Sequence, residues 1–249
     1  MTRILVTNDD GVEAPGLLAL ARAARAAGYE VTTAAPARQS SGSSAAITAA
    51  EEDGRIRIDE REFSDLPDTP VFAVHGGPGL IALIAARGAF GEPAEVVLSG
   101  VNHGANVGRA ILHSGTVGAA LTGALHGGLG MAISLDVGMR PETFEWDAAS
   151  DVALGLVPGL LGSDAGTVLN VNVPNTASHR GLREATLAPF GIVQTTLTER
   201  HQQHVRLAVE ELPYTPEPGS DAALLADGWV TVTALDSVSG VPLGFALPR

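Results

Sequence analysis

The chain contains no cysteine. Disulfides, thiolate metal centres and a cysteine nucleophile are therefore excluded. Aromatic residues are scarce, at 4% of 249 residues, so alanine, valine, leucine and isoleucine must fill the interior. The hydrophobic fraction of 45% is ample for one large α/β domain, expected to span 1–249. Positive charge is in short supply: 15 Lys+Arg face 28 Asp+Glu, giving a net charge of −13 and a pI near 4.8. That balance argues against binding nucleic-acid polymers, whose phosphates want a basic surface. A small anion remains compatible, because a metal ion and backbone N–H groups can supply local positive potential. Long apolar runs are also missing. The longest uncharged stretch, Val117 to Leu135, is broken by His126 and by glycines, and reads as a buried helix and strand, not a membrane span. The N-terminus enters a strand without the basic and apolar regions of a signal peptide, so a cytoplasmic location is expected.

What is present alternates between strand and helix. Arg3–Thr7 is a short apolar run ended by Asn8-Asp9-Asp10-Gly11, the pattern of a buried strand with a turn. Pro15 suits a helix start and Gly28 a helix stop, giving a helix to about Ala27. Glu30–Ala35 is a second strand ended by Pro36. Such a β-α-β unit predicts a Rossmann-like, mostly parallel sheet with helices on both faces. Further strands are expected at Val71–Val74, Glu95–Ser99, Met131–Leu135 and Thr167–Val173. Helices are expected from the glycines at 76–79 through Arg87, after Ser114-Gly115-Thr116, and over Phe144–Leu161. The charged segment Glu51–Asp68 reads as an exposed hairpin or excursion. Beyond a core at 1–184, the remainder (185–249) reads as extended arms with a short helix at Asp221–Asp227 and a late strand at Trp229–Leu235.

The chemistry gathers at predicted strand ends, where open parallel sheets place their ligands. Asp9 and Asp10 can converge only where the strand stops, and Gly11 permits that turn. Two carboxylates with neither cysteine nor histidine nearby suit Mg²⁺ or Mn²⁺; alternatively they form an Asx-turn that caps the next helix. Ser41 and Asn102 follow other predicted strands and add neutral oxygens, although each also suits a plain loop role. Asn106 and Ser114-Gly115-Thr116 lie in small-residue loops, the second opening a helix whose free N–H groups attract anions; Ser114 is equally a good N-cap. His103 could donate to a phosphate or shuttle a proton, and His113 could line a pocket; structural or surface roles fit both as well. His126 reads as helix packing, His201 and His204 as surface or subunit contacts, and Trp146 and Trp229 as core or interface.

Taken together, Ile-Leu-Val-Thr-Asn-Asp-Asp-Gly (4–11), Ala-Pro-x-Arg-x-x-Ser-Gly (35–42), Ser-Gly-Val-Asn-x-Gly-Ala-Asn-Val-Gly (99–108), Ser-Gly-Thr (114–116) and Asn-Val-Asn-Val-Pro (170–174) resemble the SurE family of survival-protein-E nucleotidases. The resemblance covers nearly the whole chain. It implies a metal-dependent phosphatase of nucleoside 5′- and 3′-monophosphates, sometimes an exopolyphosphatase, with C-terminal arms exchanged in a homodimer or homotetramer. It implies one divalent cation per subunit, Mg²⁺ or Mn²⁺, on Asp9, Asp10, Ser41 and Asn102, with Asp9, Asp10 and Asn102 at the chemistry. Asn106, Ser114, Gly115 and Thr116 would hold the phosphate. The chain departs from the family at Gly-Gly-Pro-Gly-Leu (76–80), where Gly-Thr-Pro-x-Asp is usual, and at Ala37, His113 and Thr122. The altered 76–80 stretch motivates one alternative: a non-catalytic nucleotide- or phosphate-binding module that retains the metal site.

Overall fold

The computed structural model describes residues 1–49, 51–138, 141–190, 194–200, 205–210, 215–236, 238–240 and 242–245. The first half runs β1 (Arg3–Thr7), α1 (Pro15–Ala26), β2 (Glu30–Pro36), β3 (Glu51–Glu52), β4 (Arg55–Ile56), β5 (Ile58–Arg61), β6 (Val71–Val74), α2 (Pro78–Ala86) and β7 (Val96–His103). A 3₁₀ turn at Gly108–His113 leads to α3 (Gly115–Leu125), β8 (Leu129–Asp136), α4 (Trp146–Leu161) and β9 (Val168–Pro174). Then come β10 (Leu182–Glu184), β11 (Gln194–Arg200), β12 (Val205–Glu210), α5 (Asp221–Ala226) and β13 (Val230–Leu235).

Nine strands form one sheet in the order β10-β13-β9-β8-β7-β1-β2-β6-β5. From β9 to β6 all neighbours are parallel, while β5 and β13 pair antiparallel to β6 and β9. Counted along the chain, these six parallel strands stand in the order 3-2-1-4-5-6, the doubly wound arrangement. Its connections reverse between β1 and β7, so a crevice opens beyond the carboxyl ends of those two strands.

The apolar runs follow from burial on both faces. Ile4 and Val6 of β1 join Leu17 and Leu20 of α1 and Ala153 of α4 in the larger core. Leu5, between them, points the other way and packs with Ile81 of α2 and Val97. Beyond that, α3 closes the same face through Val117 and Ala120 against Ala132 and Val168.

Several expectations need correction. The excursion at 51–68 is not wholly exposed: Ile58–Arg61 adds an edge strand to the main sheet, and Leu66 is buried at 2%. Beyond Ser99, β7 continues through Asn102, so Asn102 sits on the strand's last turn and not in a following loop. His126 is exposed at the α3 C-cap and does not pack within the helix. Trp229 is half-buried beneath the guanidinium groups of Arg180 and Arg183. Strands β11 and β12 form a separate antiparallel hairpin; His201 and His204 lie outside the described residues. Among the described residues, no helix is long and apolar enough to cross a membrane.

The late segments are tied back by one buried side chain. Asp221, 0% exposed, accepts the N–H groups of Gly108 (2.7 Å), Ala188 (2.9 Å) and Ala222 (2.8 Å). Removing that acceptor orphans donors in three segments at once. Asp221→Ala is expected to lower unfolding stability by about 3 kcal/mol or more, read from the urea midpoint at unchanged slope; a loss under about 0.5 kcal/mol, the level of an ordinary surface change, would show that the tie carries no weight.

Candidate active site

The strand-end turn after β1 is closed by Asn8, not by the aspartates. Its Oδ1 accepts the Gly11 N–H at 3.1 Å and its amide donates to the Gly11 carbonyl at 3.0 Å. Gly11 takes φ 107°, a conformation that favours glycine. Helix α1 starts at Pro15 with no side-chain cap. Both readings of Asp9 and Asp10 as turn or cap residues are thus taken over by a neighbour, and the two carboxylates are free to face the crevice.

That crevice is a cleft of about 840 Å³. Of the site residues expected from the sequence, Asp9, Asp10, Ser41, Asn102, Asn106 and Ser114 all line it, with His103 and His113; Gly115 and Thr116 lie directly behind Asp9. Asp9 is 5% exposed and accepts the Thr116 hydroxyl on Oδ1 at 2.6 Å. Burial pushes its carboxyl above the usual range; the Thr116 hydroxyl opposes that rise, and the charge of Asp10 adds to it. Asp10 accepts the His103 N–H on Oδ2 at 3.0 Å and the Gln39 amide on Oδ1 at 3.2 Å. The same Gln39 nitrogen donates to Ser41 Oγ at 3.0 Å. Asn102 donates its amide to the Gly104 carbonyl at 2.7 Å, which leaves its Oδ1 as the free end.

Helix α3 begins against this group. Ser114 caps it, its Oγ accepting the Val117 N–H at 3.2 Å. A Cβ at Gly115 would stand 2.8 Å from Asp9 Oδ2 and 2.6 Å from Ser43 Oγ, so only glycine lets the helix start so close to the carboxylate. The Thr116 backbone also bonds Asp9 and lowers its carboxyl, as a helix N-terminus should.

Sequence reasoning missed the parts that hold these groups. Asn172 accepts the Asn106 N–H at 2.8 Å and, with Asn170, donates to the Asn106 carbonyl; Ser134 accepts the Asn106 amide at 2.8 Å. The asparagines of the 170–174 motif were visible as a motif, but nothing local shows that they clamp a loop over sixty residues away. Gln39 and Ser43 carried no signal beyond a polar loop. Trp146 is not simply core: it is half-buried and lines the cleft beside Phe144. The departures at 76–80 lie away from the cleft lining. There, Gly79 allows the chain at Ala45 to come within 2.9 Å of where its Cβ would be, and Thr122 merely donates to Gly118 one turn back.

The matching family model, described as survival protein SurE, covers residues 4–203. The chain belongs to the SurE family. Among its relatives, a protein named 5′-nucleotidase SurE from Methanopyrus kandleri is 33% identical over 243 residues, spanning 94% of this chain and 90% of the relative. One of the same name from Actinobacillus pleuropneumoniae is 33% identical over 248 residues, spanning 94% and 93%. The crystal structure of the SurE protein from Aquifex aeolicus superposes with a TM-score of 0.77 at 26% identity, over 95% of this chain and 94% of that one. The doubly wound sheet described above is therefore the SurE fold.

The donor set fits a hard divalent cation. It consists of two carboxylates and neutral oxygens; among the described residues no three or more His, Cys, Asp or Glu cluster as a metal site. Among the described residues neither arginine nor lysine lines the cleft, and the 15 cationic residues of the chain are all arginine. Burial has a testable consequence. A carboxyl held above its usual range contributes its stability fully below 3.8 and loses it as pH rises through the folded value. Chelator-treated Asp9→Asn should then melt higher than the parent at neutral pH, with the gap closing on acidification. Equal or lower melting of the variant at neutral pH would contradict the charge-burial account.

Proposed function

We propose that the chain is a 5′-nucleotidase: a phosphomonoester hydrolase acting on nucleoside 5′- and 3′-monophosphates, with exopolyphosphatase action on the same site. One divalent cation, Mg²⁺ or Mn²⁺, would be held by Asp9, Asp10, Ser41 and Asn102. The observation that carries this reading is the Asn8 turn, which releases two adjacent carboxylates into a cleft whose described lining residues include no arginine or lysine. The names of the relatives support the nucleotide as substrate. When bound, the cation would supply Lewis acidity and a more acidic water.

The chain's own residues do the rest. The Asn106 amide has two hydrogens, one of which is engaged with Ser134; the other is available to a phosphate oxygen. Ser114 and the Gly115 N–H stand at the start of α3 and clamp the phosphoryl group where its charge develops. Thr116 serves the same loop by fixing Asp9. Asp9 is buried and anchored, so Asp10, the more open of the two, accepts the proton of the attacking water as its oxygen bonds to phosphorus, while the ester P–O bond breaks and the nucleoside leaves as the alcohol, protonated from solvent. Ser41 is held in line with Asp10 through Gln39. The hairpin β11–β12 would serve self-association into a homodimer or homotetramer of one cytoplasmic domain, 1–249.

Phosphate release from a panel of nucleoside monophosphates should vanish with EDTA and return with Mn²⁺ or Mg²⁺. Asp10→Asn should lower kcat by about 10²–10⁴-fold. Near-normal turnover in that variant would sink the assignment, and tight nucleotide binding without phosphate release would favour the binding-module alternative.

A further inference from the structure

The acid pair, Ser41 and Asn102 account for one end of the cleft. Another part of its wall is aromatic. Phe144 and Trp146 stack with ring centroids 5.2 Å apart and planes 9° apart. The His103 ring lies 5.4 Å from Phe144 and 6.2 Å from Trp146. His103 also donates its N–H to Asp10 at 3.0 Å, so the row of rings begins within one residue of the carboxylates. In a chain with 6 Phe, 2 Trp and 2 Tyr, two of those rings in one cleft is a concentration that core packing does not require. Phe144 stays 40% exposed. Its position is nonetheless fixed from both sides: Asn175 accepts the Glu145 N–H at 2.9 Å and donates to the Thr143 carbonyl at 2.8 Å. Trp146 is braced from behind against the larger core.

We infer that Phe144, Trp146 and His103 form a stacking wall that receives the nucleobase of the substrate and favours purine over pyrimidine nucleotides. The wall itself is made of ring faces, which suit a flat ring and not the phosphate. Aromatic faces bind such rings by dispersion and offset stacking, and the larger purine covers more of them. Phe144 and Trp146 thereby set which leaving group is accepted, while the acid pair sets the reaction. The inference rests on the nucleotidase reading for its phosphate end.

The test compares a purine nucleoside monophosphate with ribose 5-phosphate, which lacks the base. In Phe144→Ala and Phe144→Leu, the ratio of kcat/KM for the purine nucleotide to that for ribose 5-phosphate should fall about tenfold, mostly through KM, and Phe144→Tyr should restore it. An unchanged ratio, or an equal loss on both substrates, overturns the wall. A second readout needs no turnover. In a Trp229→Phe background, adenosine should quench Trp146 emission saturably and ribose 5-phosphate should not. Quenching without phosphate release from any ester would refute the hydrolase reading and uphold the wall; phosphate release without quenching would do the reverse.

Discussion

The structure depends on keeping a negative charge where water is largely excluded. Asp9 sits at the end of a strand covered on both faces, with a second carboxylate as its sequence neighbour. Ionised carboxylates in such a place need compensation. Four sources converge on them: the Thr116 hydroxyl, the start of helix α3, the backbone N–H of His103 and the Gln39 amide. These are dipoles, not charges, and they leave the pair short of full neutralisation. On the proposed reading a divalent cation would complete the balance, which would let an acidic protein handle an anionic ester.

The topology explains why so many segments take part. The crevice lies where chain connections reverse between β1 and β7, so β1, β2 and β7 deliver Asp9 and Asp10, Ser41, and Asn102 to one place. The loop after β7 is then anchored from β8 and β9 through Ser134, Asn170 and Asn172, and from the chain's end through Asp221. Rigidity of this loop is therefore borrowed from elements remote in sequence.

Local pattern made part of this legible. The first β-α-β unit is announced by a short apolar run, by Pro15 and by Gly28, because burial on both faces removes polar alternation. The acid pair is equally visible. Its freedom was not, since Asn8, Asp9 and Asp10 are all competent turn formers, and only the hydrogen bonds to Gly11 show which one closes the turn. The place of β13, antiparallel to β9 and parallel to β10, is a non-local pairing that no window of sequence contains. The edge strand Ile58–Arg61 was hidden by its charge, because an outermost strand has one side open to solvent. Asn170 and Asn172 act on a loop 64 and 66 residues earlier, a distance over which spacing carries no information. Phe144 and Trp146 fall in an ordinary helix-start pattern that gives no hint of the cleft beside it.

The most direct test of the metal-site account is an anomalous difference map from crystals of the protein equilibrated with Mn²⁺. The account predicts one strong peak per chain, bounded by Asp9, Asp10, Asn102 and Ser41. A map with no peak there, or with the ion held elsewhere while Asp9 and Asp10 stay bonded only to protein, would contradict it.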